Sequence, residues 1–117
     1  MTEKEFKRFN YSCGGNNYIL RGNARWIAFQ SSIVGMLRRR FDEQFNLVVY
    51  STSGGNVVNY ICVPYADIKH LFTDELLTIK ADGTECWNCV IRDEKLMVHA
   101  NSGYAVNIDK YLNVGFG

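Results

Sequence analysis

Two runs rich in β-branched and aromatic residues, Phe45-Asn-Leu-Val-Val-Tyr-Ser51 and Asn56-Val-Val-Asn-Tyr-Ile-Cys-Val63, flank Thr52-Ser-Gly-Gly55. Glycine supplies the positive backbone angles of a tight connection, so this stretch reads as a β-hairpin. Four shorter apolar runs follow at Leu76–Lys80, Cys86–Arg92, Lys95–Ala100 and Tyr104–Ile108, separated by Ala-Asp-Gly-Thr, Asp-Glu and Asn-Ser-Gly. Short runs joined by tight turns predict an antiparallel meander. Tyr18-Ile-Leu-Arg21 adds a further short strand after a polar N-terminal arm. Pro64 suits the first turn of a short helix, with Asp67 near its positive end and Ile68, Leu71 and Phe72 on one side.

One segment departs from the β pattern. From an N-cap at Asn23, residues 24–41 predict a long amphipathic helix. On a helical wheel Trp26, Ile27, Phe29, Ile33, Val34, Met36, Leu37 and Phe41 cover about half the circumference. Arg25, Ala28, Ser31, Ser32, Gly35, Arg38 and Arg39 take the other half. The expected fold class is therefore α+β. A mainly antiparallel sheet of about six or seven strands curls around the long helix, or closes partly into a barrel, with one further short helix.

At 117 residues the chain is expected to be a single domain, 1–117, with one hydrophobic core. Its 47% apolar and 21% charged residues exclude disorder, collagen and coiled coil. No apolar run approaches membrane-spanning length, so no membrane partner is expected. Met1-Thr-Glu-Lys-Glu-Phe-Lys-Arg8 lacks the apolar core of a secretory signal, and a cytoplasmic location is the expectation.

The formal net charge of +1 conceals an asymmetry. Residues 1–40 carry eight basic and two acidic residues, a net +6, and residues 41–117 carry five basic and ten acidic, a net −5. Such a division points to a polyanionic partner for the basic part, unless the two parts neutralise each other in the fold.

Catalytic and metal motifs are weak. Cys86-Trp-Asn-Cys89 is a CxxC, but it lies in a predicted strand, where odd spacing sends the two sulfurs to opposite faces. Cys13, Cys62, His70 and His99 make no second knuckle, and no helix follows Cys89 as a redox motif requires, so neither metal nor cofactor is expected. Asp93-Glu94-Lys95, with Asp74, Glu75 or Asp82 upstream, resembles half of a Mg²⁺-dependent nuclease site, although charged residues also build hairpin turns. His70 and His99 stand in no triad context, and no catalytic motif is present. Gly14-Gly15-Asn16-Asn17 lacks the following helix N-terminus that a phosphate cradle needs.

The basic helix is the strongest candidate site. Arg21, Arg25, Arg38, Arg39 and Arg40 ring a face whose middle is small: Ala28, Ser31, Ser32 and Gly35. Small residues let a phosphate ribbon approach, serine hydroxyls donate to it, and guanidiniums grip it in pairs. The opposing reading packs that face on a sheet with the arginines reaching past its edges. The predicted nucleic-acid contacts are Arg21, Arg25, Ser31, Ser32, Arg38, Arg39 and Arg40, with no catalytic or metal residue.

Asn59-Tyr-Ile-Cys-Val-Pro-Tyr-Ala-Asp-Ile-Lys-His-Leu-Phe-Thr73, Cys86-Trp-Asn-Cys-Val-Ile91 and Tyr104-Ala-Val-Asn-Ile-Asp109 resemble segments of the DNA-recognition domains of bacterial restriction endonucleases. The resemblance implies a barrel-like β domain that reads duplex DNA in restriction or its evasion, in a prokaryotic or phage defence setting. It carries over no functional residue. The expected function is a non-catalytic nucleic-acid-binding domain, with DNA favoured over RNA. Two alternatives stand beside it: a protein-interaction or inhibitor protein whose acidic C-terminal half mimics nucleic acid, and a Mg²⁺-dependent nuclease built on Asp93 and Lys95.

Overall fold

A computed structural model of the chain describes residues 1–12, 16–22, 27–92, 96–99 and 102–112, with only the backbone for 9–12. Among them are three α-helices, α1 (Glu3–Ser12), α2 (Ser31–Phe41) and α3 (Tyr65–Ile68). Eight strands accompany them: β1 (Asn17–Arg21), β2 (Ile27–Gln30), β3 (Asn46–Ser53), β4 (Asn56–Pro64), β5 (Thr78–Ile79), β6 (Glu85–Arg92), β7 (Leu96–His99) and β8 (Ala105–Asn107). The class is α+β and the pairing mostly antiparallel, as the sequence implies. The strands form two sheets, however, and neither closes into a barrel.

The first sheet has the order β1-β3-β4. Strands β3 and β4 are the expected hairpin, turning at Gly54 and Gly55 with φ +59° and +82°. Both values lie in the left-handed region, which glycine enters without a Cβ clash. β1 joins β3 in parallel, Tyr18 opposite Leu47 and Leu20 opposite Val49. A parallel pair needs a crossover, and the chain from β1 through β2 and α2 provides it.

The second sheet has the order β2-β6-β7-β8, with β5 also on β6. β5 to β8 are the expected meander. β2 was not expected. Ile27-Ala-Phe-Gln30 pairs antiparallel with β6, Phe29 opposite Trp87 and Ile27 opposite Cys89. The helix predicted from residue 24 therefore starts at Ser31, and residues 24–26 lie outside the described residues. The physical reason is a change of period. Ile27 and Phe29 are buried while Ala28 and Gln30 are less so, an alternation of two that suits a strand. On a wheel those two side chains fall far apart, which is why the apolar arc of the longer helix was so broad.

The principal core lies between the sheets, under α2. It includes Phe29, Leu37, Leu47, Val63, Ile68, Leu71, Cys89, Met97 and Ile108. Edge-to-face contacts run from Tyr18 to Phe29, Phe72 and Trp87, and Phe45 stacks on Tyr65 at 4.5 Å. A second, smaller cluster, Phe6, Val48 and Tyr50, sits on the other face of the first sheet beneath α1. Strand β3 is thus buried on both sides, Leu47 and Val49 inward, Val48 and Tyr50 toward α1.

Helix α1 replaces the expected polar arm. Thr2 Oγ1 accepts the Glu5 N–H at 3.2 Å, and Thr2-Glu-Lys-Glu5 has the spacing of a capping box. Glu3 then accepts a hydrogen bond from the Tyr50 hydroxyl at 2.5 Å, which fastens the helix to β3.

Candidate nucleic-acid interface

Helix α2 is positioned by its buried side. Val34 and Leu37 enter the core, and the Gln30 N–H that precedes the helix donates to the Tyr18 hydroxyl at 3.1 Å. The helix stops after Phe41, where Asp42 turns to φ 55° and returns its N–H to the Arg38 carbonyl at 2.9 Å. What remains outward is the first-turn pair Ser31 and Ser32, then Gly35 and Met36, then Arg38, Arg39 and Arg40. Seven residues separate Ser32 from Arg39, about 10 Å along the axis.

The three arginines are exposed, and among the described residues none forms an ion pair. The Arg40 guanidinium lies 5.2 Å above the Phe41 ring. Arg38 and Arg39 border a shallow hollow with Gly35, Asp42 and Glu43. At Gly35 a Cβ would meet only the Arg39 guanidinium, at 3.5 Å, so the hollow's floor is open backbone. Glu43 is engaged elsewhere, taking Lys69 Nζ at 2.9 Å. Cations in the last turn also favour the helix dipole, by roughly 0.3–1 kcal/mol each at an exposed site. That contribution is a structural role for the arginines, and it leaves their outer guanidinium edges available.

The remaining predicted contacts separate from this group. Arg21 ends β1 in the first sheet, where it approaches Glu3 at 3.8 Å and is half of an ion pair. Ala28 belongs to β2, half-buried opposite Asn88, so it does not lie on the helix face. Arg25 lies outside the described residues, as do Asp93 and Lys95 of the nuclease alternative. The structure thus gathers Ser31, Ser32, Arg38, Arg39 and Arg40 on one short helix and places Arg21 apart.

Of the candidate catalytic or metal-binding groups, Cys86, Cys89 and His99 are built into the fold, whereas His70, Asp74, Glu75 and Asp82 are exposed. Cys86 and Cys89 lie on β6 and are both buried, and burial pushes the Cys89 thiol up to about 12. A thiol so high holds almost no thiolate at neutral pH. His99 is buried with both ring nitrogens engaged. Nδ1 accepts the Ser102 N–H at 3.2 Å, which leaves Nε2 to donate to the Leu76 carbonyl at 2.8 Å. The imidazole ties β7 to the turn before β5. Among the described residues no three His, Cys, Asp or Glu side chains converge as a metal would need.

Nor do the aromatic side chains among the described residues form a stacking platform. Tyr104, 61% exposed, is the one aromatic side chain among the described residues with most of its surface in solvent. No described helix is long and apolar enough to cross a membrane. No protein-family model, curated protein or solved structure matches this chain.

Proposed function

We propose that this chain is a non-catalytic nucleic-acid-binding domain that grips phosphates with the outer face of α2. The observation that carries the reading is the run Arg38-Arg39-Arg40, exposed, without ion-pair partners among the described residues, and beside the open backbone of Gly35. Guanidiniums in such a setting pair with phosphate oxygens through two donors each. Ser32, exposed in the first turn of the same helix, adds a hydroxyl where the helix dipole is positive. Phosphate contacts position a protein without reading sequence, so α2 supplies affinity rather than base choice. Duplex DNA is the ligand to try first, because the resemblance to restriction-endonuclease recognition domains implies it.

The reading is tested by a salt titration of duplex binding. Three phosphate contacts give a slope of about −2.7 in log K against log salt. A slope near zero, or no binding at low salt to duplex or single strand, would remove it. A protein that instead binds a nucleic-acid-handling protein through exposed acids such as Asp74, Glu75 and Asp82 belongs to the mimic class.

A further inference from the structure

The hollow beside α2 is bordered by two acids as well as two arginines, Asp42 and Glu43 with Arg38 and Arg39. Opposite charges on so small a surface tend to pair, and a guanidinium held by a carboxylate has fewer donors left for phosphate. Among the described residues Arg38, Arg39 and Asp42 nevertheless have no ion-pair partner. Asp42 starts the turn out of the helix at φ 55°, and its side chain is one methylene shorter than that of Glu43. Glu43 has the longer reach, and its carboxylate faces a different cation.

That cation is Lys69. Its Nζ donates to Glu43 Oε1 at 2.9 Å and lies 3.3 Å from Oε2, so both carboxylate oxygens face it. The two side chains come from different elements. Glu43 follows α2, in the turn where the Gln44 N–H donates to the Phe41 carbonyl at 2.9 Å. Lys69 opens the 3₁₀ turn Lys69–Leu71, with Ile68 before it and Leu71 within it both fully buried. Core packing thus fixes where the lysine stands. The Tyr65 hydroxyl shows that these charges are neighbours. Burial raises its pKa, Arg38 and Lys69 act against the rise, and Glu43 adds to it. One phenol therefore feels Arg38, Glu43 and Lys69 together.

We infer that Lys69 is a positioning residue of the α2 surface: by holding Glu43 it keeps Arg38 and Arg39 free to grip phosphate. The inference rests on the α2 reading and adds to it a residue that itself touches no phosphate. Without Lys69, the cations that share a hollow with Glu43 are Arg38 and Arg39. An arginine that takes the carboxylate is lost to the duplex.

Duplex binding against salt tests this in wild type, in Lys69→Met, and in Lys69→Met combined with either Glu43→Gln or Asp42→Asn. Lys69 and Glu43 are 55% and 39% exposed and Asp42 is exposed, so the fold should survive, with circular dichroism as the check. From about −2.7, Lys69→Met should flatten the slope by about 0.9, one phosphate contact. Binding should weaken about two- to fivefold, the worth of one exposed ion pair. Adding Glu43→Gln should restore the wild-type slope, because the competing carboxylate is gone. Adding Asp42→Asn, which restores the same net charge, should leave the slope flattened. Lys69→Met without effect overturns the inference. A flattened slope that Glu43→Gln does not restore also overturns it, because Lys69 is then a direct phosphate contact. Equal rescue by Asp42→Asn overturns it as well, because net charge alone is then at work. Each of these three results leaves the α2 reading standing. Wild-type binding with no salt dependence removes that reading, and this inference with it.

Discussion

Helix α1 presents Lys4, Lys7 and Arg8 beside Arg21 of β1, and helix α2 presents Arg38, Arg39 and Arg40, so each brings a basic cluster to the surface. Their surroundings differ. On the α1 side two of these four cations, Lys7 and Arg21, each approach Glu3 at 3.8 Å while the Tyr50 hydroxyl bonds to it. On α2 the arginines meet no carboxylate within ion-pair distance among the described residues. Burial differs too, for α2 drives Val34 and Leu37 into the principal core, whereas α1 rests through Phe6 on a cluster with Val48 and Tyr50. Net charge alone does not mark an interface. What matters is whether the fold has already given the cation a partner.

The largest expected effect separates the two helices by stability. Leu37→Ala opens a cavity in the principal core and should cost about 2–5 kcal/mol in denaturant unfolding. Phe6→Ala should cost less, no more than about 3 kcal/mol, because a peripheral helix can undock rather than hold an empty space. Hydrogen exchange sharpens the contrast, with protection lost across α1 while β3 and β6 keep theirs. Equal losses in both variants, with global loss of protection, would make α1 part of a single cooperative core.

A smaller effect follows from the α1 anchor and depends on pH. Burial first, and the Glu3 carboxylate second, push the Tyr50 hydroxyl up to about 12. A raised folded value means that the neutral phenol stabilises the fold below about 10, and that this contribution fades between about 10 and about 12. The hydrogen bond from Tyr50, helped by Arg21 and Lys7 against the opposing effect of burial, holds the Glu3 carboxyl below its ordinary value of 4.5. Its contribution is present above 4.5 and is lost as pH falls through the depressed value. Thermal melts of Tyr50→Phe, which keeps the ring and removes the hydroxyl, should therefore decline less steeply than the wild type above pH 10. Parallel declines would detach Tyr50 from the anchor.

The hairpin, the meander and the short helix after Pro64 were legible because local residues determine them: β-branched pairs, a Gly-Gly turn, a proline at a strand end. Residues 27–41 misled because one apolar stretch serves two periods, first of two, then of 3.6. Helix α1 was legible in principle from Thr2 and Glu5, but its polar sequence outweighed that cap. The parallel β1–β3 pairing had no local signature, since its register is set by Tyr18 and Leu20 meeting Leu47 and Val49 across a long crossover. At the candidate site, Arg38, Arg39 and Arg40 were readable as a basic helix end. That Arg21 would stand apart, beside a glutamate eighteen residues earlier, was not, because that contact exists only once α1 has docked.

The central claim is that α2, and not the equally basic α1 side, holds phosphates, and paired charge removals test it most directly. Duplex binding would be measured against salt for wild type, for Arg38→Ala plus Arg39→Ala, and for Lys7→Ala plus Arg21→Ala. Removing the α2 pair should flatten the slope of log K against log salt by about two, since each phosphate contact contributes about 0.9. It should cost the fold only the dipole contribution, roughly 0.3–1 kcal/mol per arginine. Removing the α1-side pair should leave the slope nearly unchanged, because both cations already face Glu3. A slope that flattens with the α1-side pair and survives loss of Arg38 and Arg39 would contradict the account.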